Sequence, residues 1–195
     1  GFSAIDAHGI ITHNEVKTDS PITCGTSAKK SMLFGHANGV VSNHKGAIQS
    51  TEESSVELLV TTPLGYIAAL ENGTLIRRKG AEEVWSCNGD IITVQQCGFS
   101  FVDVPTHWAG RWSGSEGRVE VRNSETGELL ISNQSSRCES IASNSDRIVV
   151  GFENGDICLW ERSMFERRMK NGNKSEKKDE RKSALQDKLR ALRDR

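Results

Sequence analysis

No stretch of the chain runs apolar for more than about six residues, far short of the roughly 18 that a membrane-crossing helix needs. A transmembrane helix is therefore excluded, and no membrane partner is expected. No basic start followed by an apolar core marks a secretory leader, although the chain opens on Gly1-Phe2 rather than Met, as an excised or processed piece would. His8, His13, His36, His44 and His107 never stand in H-x-x-x-H spacing, and no cysteines form a C-x-x-C pair. That removes the usual zinc frameworks. Gly25-Thr-Ser-Ala-Lys-Lys-Ser31 has the outline of a phosphate loop but lacks the Gly directly before Lys, so it reads as a polar loop. Ser27-x-x-Lys30 is a two-residue match without companion motifs. With no nucleophile beside a base, no acid pair and no ligand cluster in the sequence, the expectation is a protein that is not an enzyme and carries no cofactor.

Cysteines 24, 87, 97, 138 and 158 form an odd set, read as reduced and mostly buried. Such usage fits the cytoplasm, with the nucleus as the alternative. The glycosylation patterns at Asn72, Asn133 and Asn173 are then incidental. Charge is divided along the chain: from Phe165 to Arg195 there are 12 Lys or Arg and 6 Asp or Glu, and the rest holds 13 against 20. An acidic body at −7 thus joins a basic tail at +6.

What the chain does contain is a repeated sentence: short strand, tight turn, short strand. Its best copy is Gly151-Phe-Glu-Asn-Gly-Asp-Ile-Cys-Leu-Trp-Glu161, following the apolar run Ile148-Val149-Val150. Asn154-Gly155 suits a two-residue hairpin with positive φ at both central positions. Met32 to Val41, Val56 to Ile76 and Trp112 to Val121 read as three further copies, with turn glycines at 39, 73, 117 and 155, spaced by 34, 44 and 38 residues. A small residue, Gly35, Ala69, Ser113 or Gly151, stands four positions before each. Between the copies, Val84-Trp85, Ile91 to Val94, Phe99 to Val104, Glu128 to Ile131 and Cys138 to Ala142 are additional short strands, and no helix-period pattern interrupts them. Phe2-Ser3-Ala4-Ile5 and Ile10-Ile11 suggest one or two strands near the start, and Pro21 to Lys30 reads as loop. Val119 and Val121 alternate with charged residues as in a half-exposed strand. A period near 40 with several strands per unit marks radial repeats, since a lone small sheet leaves two uncovered faces that neighbours must cover.

Ser113 through Arg122 and Gly151 through Trp160-Glu161 resemble the second-to-third strand segment of WD40 repeats, which ends in an aromatic residue followed by an acid. The resemblance runs from about Met32 to Glu161, and it implies an all-β, WD40-like β-propeller of about four blades in an incomplete ring. An open arc is unfavourable in water because it leaves sheet edges and half a core exposed; a longer chain or a partner then supplies the remaining blades. The propeller is expected over residues 1–164, a basic connector over 165–174 and a charged α-helix over 175–195. Leu185, Leu189 and Leu192 follow the spacing of a coiled-coil seam that needs a partner surface. Trp108 and Trp112 with Arg111 between them either pack between blades or anchor a partner at a rim. The expected function is protein–protein scaffolding within a larger assembly, as in the WD-repeat coiled-coil proteins of ciliary axonemes that the architecture resembles. The alternatives are an RNA-contacting ribosome-assembly factor, using the basic tail, and, less favoured, a propeller enzyme.

Overall fold

The computed structural model describes residues 2–5, 11–14, 19–28, 31–101 and 103–167, and there the chain is a four-bladed β-propeller followed by one short helix. β1 (Phe2–Ile5) and β2 (Ile11–Asn14) pair as a separate hairpin. Blade 1 holds β3 (Ile22–Ala28), β4 (Ser31–His36), β5 (Val40–Asn43) and β6 (Ile48–Thr51). Blade 2 holds β7 (Val56–Thr62), β8 (Gly65–Leu70), β9 (Leu75–Lys79) and β10 (Glu82–Cys87). Blade 3 follows with β11 (Ile91–Cys97), β12 (Thr106–Ser113), β13 (Glu116–Asn123) and β14 (Leu129–Ser135). Blade 4 has three strands among the described residues: β15 (Cys138–Ser143), β16 (Arg147–Phe152) and β17 (Ile157–Glu161). Each blade is an antiparallel meander in chain order, and the first strands β3, β7, β11 and β15 are the ones that meet successively from blade to blade. α1, residues 162–167, follows β17 directly.

The turn joining the second and third strands is alike in blades 1, 2 and 4. The N–H of Gly39, Gly73 or Gly155 donates to the carbonyl of His36, Leu70 or Phe152 at 2.9–3.0 Å. The preceding Asn accepts, through its side-chain oxygen, the N–H of Val40, Thr74 or Asp156. Only the glycine takes positive φ, at +83°, +86° and +87°. This differs from the expected two-residue hairpin with both central residues left-handed: the loop is one residue longer, and Gly ends it as a bulge. In blade 3 the turn glycine is Gly114 (φ +68°), not Gly117, which lies inside β13 opposite Trp112.

Three further expectations are corrected. The Pro21 to Lys30 loop is largely β3. Its small polar residues carry no apolar pattern because the strand is held partly by side-chain bonds to β7: the Thr23 hydroxyl and the Cys24 thiol both donate to the Val56 carbonyl. The described residues of the Phe99 to Val104 stretch form no strand: reciprocal 2.7 Å bonds join Phe101 to Val104 as an isolated bridge, and Phe99 and Phe101 lie in the core. β13 is covered on both faces, with Val119, Glu120 and Val121 all buried, because it stands between two neighbouring blades.

Three inter-blade interfaces hold three cores. Leu33, Val41, Val56, Leu59, Tyr66 and Leu70 lie between blades 1 and 2; Ile67, Ala69, Leu75, Trp85, Ile92 and Ala109 between blades 2 and 3; Trp108, Val119, Val121, Cys138, Ile148 and Val150 between blades 3 and 4. Each interface is also riveted by polar bonds. Between blades 1 and 2, Glu52 receives a bidentate bond from Arg78 at 2.7 and 3.0 Å, and Tyr66 reaches the same carboxylate through Ser50. The Trp85 indole N–H donates to the Ser124 carbonyl at 3.1 Å across blades 2 and 3, and the Thr93 hydroxyl to the Cys138 carbonyl at 2.6 Å across blades 3 and 4. All five cysteines are free: Cys138 is buried, Cys24, Cys87 and Cys97 are half-buried, and Cys158 is exposed.

Candidate interaction surface

Alternation along β12 decides the fate of the residues expected at a rim. His107, Ala109 and Arg111 point toward blade 2, and Trp108, Gly110 and Trp112 toward blade 4. Trp108 is fully buried; its indole N–H donates to the Thr106 hydroxyl at 3.1 Å, and its ring meets Phe99, Trp160 and Phe165. Arg111 is fully buried too. Its Nε donates to Glu120 at 2.8 Å, Nη1 to the carbonyls of Gly73 (2.8 Å) and Asp90 (2.7 Å), and Nη2 to the Cys87 sulfur at 3.6 Å. Both are interior groups that fasten blades together. Trp112, at the end of β12, is half-buried and is the one of the three that retains surface.

The charge of Arg111 is met by Glu120, which Arg118 and Arg122 also contact at 3.0 Å. Burial pushes the Glu120 carboxyl up, but the bonds and charges of Arg111 and Arg122 outweigh it and hold its pKa below the ordinary value. Beside this cluster the His107 pKa is pushed down to about 3, first by complete burial and then by the Arg122 and Arg111 charges. The Gln95 amide N–H donates to the Ile67 carbonyl at 3.4 Å, so its oxygen faces His107 Nε2 at 3.0 Å. Nε2 therefore carries the proton, and Nδ1 is buried without a partner.

An exposed surface with the character of an interface lies on blade 4. Ile148 and Val150 face blade 3, so Val149 on the same strand faces away, and the β16–β17 register sets Leu159 opposite Val149 and Ile157 opposite Gly151. Ile157 is 74% exposed, Leu159 55% and Val149 39%; Ala142 of β15 joins them in solvent. Blades 2 and 3 have a neighbour over each face, whereas this face has none among the described residues. Around the corner, β17 and α1 border a groove of about 380 Å³ lined by Ile157 to Glu161 of the strand and by Met164 and Phe165 of the helix. α1 is pinned there by Phe165, 2% exposed, whose ring packs edge-on against Phe99, Phe101 and Trp160. In sequence Phe165 opens the basic connector; in the structure it belongs to the core. Leu185, Leu189 and Leu192 lie outside the described residues.

Val149, Ile157 and Leu159 were not singled out from sequence. The signal was present: Ile148-Val149-Val150 and Ile157 to Trp160 are apolar at successive positions, as strands covered on both faces are, while the structure covers only one. Among the described residues no group of three or more His, Cys, Asp or Glu is placed to hold a metal ion.

No family model matches the chain, and no curated protein matches its sequence. Solved structures do. The WD40 β-propeller domain of Doa1 matches with TM-score 0.61 at 10% identity, over 83% of this chain and 57% of that one. The computationally designed protein Ika4 matches with TM-score 0.59 at 19% identity, over 77% of this chain and 99% of its own. BBS1N, solved in complex with ARL6DN, matches with TM-score 0.54 at 13% identity, over 66% of this chain and 45% of that one. The chain thus has the WD40-like propeller fold and spans about half the length of BBS1N and of the Doa1 propeller domain.

Proposed function

We propose that this chain is a non-catalytic interaction scaffold, a partial propeller whose open end is covered by another protein subunit that completes the ring, and whose C-terminal segment tethers it to a larger assembly. The observation that carries the reading is the bare apolar face of blade 4: Val149, Ile157 and Leu159 have the composition of the buried inter-blade faces but meet solvent. Contiguous exposed apolar surface of this kind marks association sites. That the chain matches little more than half of the Doa1 propeller domain supports a ring completed from elsewhere, and the ARL6DN complex of BBS1N is a precedent for a protein partner on a similar fold. The proposed setting is cytoplasmic, with the cilium and its cytoskeleton favoured by the pairing of a propeller with a charged helical seam, and Trp112 is a secondary contact at the rim.

The test is the size of the native complex formed by the full chain, measured by native electrophoresis and sedimentation. Val149→Glu should release the ring-completing subunit, since a carboxylate cannot be buried there unpaired, and Leu185, Leu189 and Leu192 changed together to Ser should release the tether. If both variants remain in complexes of unchanged size, the scaffold reading is wrong.

A further inference from the structure

Blades 1 to 3 each carry a fourth, outermost strand against the third: β6 on β5, β10 on β9, β14 on β13. Among the described residues blade 4 stops at three, because the chain turns helical immediately after Glu161 and Phe165 draws α1 back over the core. The outer edge of β17 is consequently unpaired by any described strand. Which backbone groups it offers follows from the ladder. At one end the Phe152 N–H donates to the Asp156 carbonyl at 3.0 Å, and at the other the Arg162 N–H donates to the Asp146 carbonyl at 2.8 Å. Alternation then turns the N–H and C=O of Cys158 and Trp160 toward β16, and those of Ile157, Leu159 and Glu161 outward. An edge of this kind is a template for one more strand.

The intact blades also show what the missing strand brings. In blade 2, β10 supplies Trp85, buried against Gly127 of the next blade; in blade 3, β14 supplies Ile131, packed on the core. The equivalent place in blade 4 is the groove over Trp160, Met164 and Phe165. Charge gives a second constraint. Glu153 and Asp156 stand at the turn end of the edge; at the other end Asp146, Glu161 and Glu166 stand against Arg147, Arg162 and Arg167, with Arg147 paired to Glu161 (3.5 Å) and Arg162 to Glu166 (3.3 Å). The rim is therefore net acidic at the Asp156 end and charge-balanced at the Glu161 end of a strand whose middle is apolar.

We propose that the outer edge of β17 receives one extended segment of a partner polypeptide as the fourth strand of blade 4. The segment runs antiparallel to β17, places an apolar side chain over Trp160 and Met164, and carries Lys or Arg near its C-terminal end, which meets Glu153 and Asp156. Backbone pairing at Ile157, Leu159 and Glu161 supplies affinity, and the groove and acidic rim supply selectivity. The proposal rests on the reading of the chain as an interaction scaffold and names the chemistry of its partner.

The experiment titrates the full chain with a synthetic peptide of about nine residues that alternates Val and Thr and ends in two lysines at its C-terminus, followed through Trp fluorescence and amide hydrogen exchange. Binding should protect the N–H groups of Ile157, Leu159 and Glu161, while those of Cys158 and Trp160 are protected already. Leu159→Pro deletes an outward N–H without touching the β16 ladder and should weaken binding at least about tenfold, the equivalent of one hydrogen bond; Leu159→Ala, which keeps that N–H, should bind more tightly than the Pro variant. Asp156→Lys should shift preference toward a peptide whose C-terminal end carries Glu in place of Lys. Failure of the peptide to bind, binding without new protection at these three positions, or undiminished binding by a folded Leu159→Pro variant would overturn the proposal. So would concentration-dependent self-association abolished by Leu159→Pro, which would assign the edge to a second copy. Val149→Glu should leave peptide binding intact, so loss of the ring-completing subunit and loss of the strand are read separately.

Discussion

Arg111 concentrates the cost of opening the interface between blades 2 and 3. A fully buried guanidinium is tolerable only because Glu120 and two carbonyls take up its donors, and the fork geometry that reaches all of them is peculiar to Arg. Arg111→Ala should destabilise the protein by about 3 kcal/mol in urea unfolding, since it strands the carbonyls of Gly73 and Asp90 and leaves a cavity. Arg111→Lys should recover only part of this, and a loss within experimental error in the Ala variant would show the cluster to be dispensable. His107, two turns of the pleat away, makes stability depend on pH. Its folded pKa, about 3, lies below the ordinary 6.5, so the unfolded chain takes up a proton that the folded chain refuses. The stabilisation is complete above pH 6.5 and drains as pH falls toward 3, by up to about 1.4 kcal/mol per unit. His107→Gln should flatten the slope of unfolding free energy between pH 6.5 and 5; an unchanged slope would place the proton uptake elsewhere.

The turn is the element that the sequence declares most openly. Asn-Gly before a strand was enough to locate the hairpins of blades 1, 2 and 4, because few other pairs accept that backbone. Their bulged form was not legible: the hydrogen bond that defines it joins Gly to a residue three earlier, which composition does not reveal. In blade 3 two glycines stand three apart, and only the pairing of Ser113 with Glu116 shows that Gly114 makes the turn. β3 was missed for a related reason, since Thr23, Cys24 and Thr26 satisfy a strand through hydroxyl, thiol and ladder bonds, and those leave no hydrophobic period. The turns themselves differ in surroundings. A Cβ on Gly155 would meet nothing within 4 Å, whereas one on Gly73 would lie 2.1 Å from the Gly89 carbonyl oxygen. Gly155→Ala should therefore cost about 1 kcal/mol, the conformational term alone. Gly73→Ala should cost roughly 2 kcal/mol more, because blade 3 must move aside. Equal losses in thermal unfolding would mean that the approach of the Gly89 carbonyl relaxes freely.

At the scale of the molecule, the sequence announced an unfinished ring by the count of its repeats, but could not say which end is bare. The structure distinguishes the ends. On blade 1, Leu33 and Gly35 face blade 2, and alternation turns Phe34 and His36 to the far side, where both are buried on the inner strand β4 while Ile22 and Ile48 of β3 and β6 are 40% and 64% exposed. On blade 4 the far side is open at Val149, Ile157 and Leu159. Because stacked repeats gain stability mainly from interfaces with their neighbours, blades 2 and 3 share two cores each while blade 4 shares one. Local opening should follow that order: amide hydrogen exchange should be slowest in β8 and β12 and fastest in β17, with β16 between them. The gradient has a second use. A subunit that covers the blade 4 face should slow exchange in β16 and β17 while leaving β8 unchanged, since its two faces are already occupied. If the isolated chain instead shows uniform protection from blade 2 to blade 4, blade 4 does not depend on a neighbour for its stability, and the bare face is not the point at which the ring is completed.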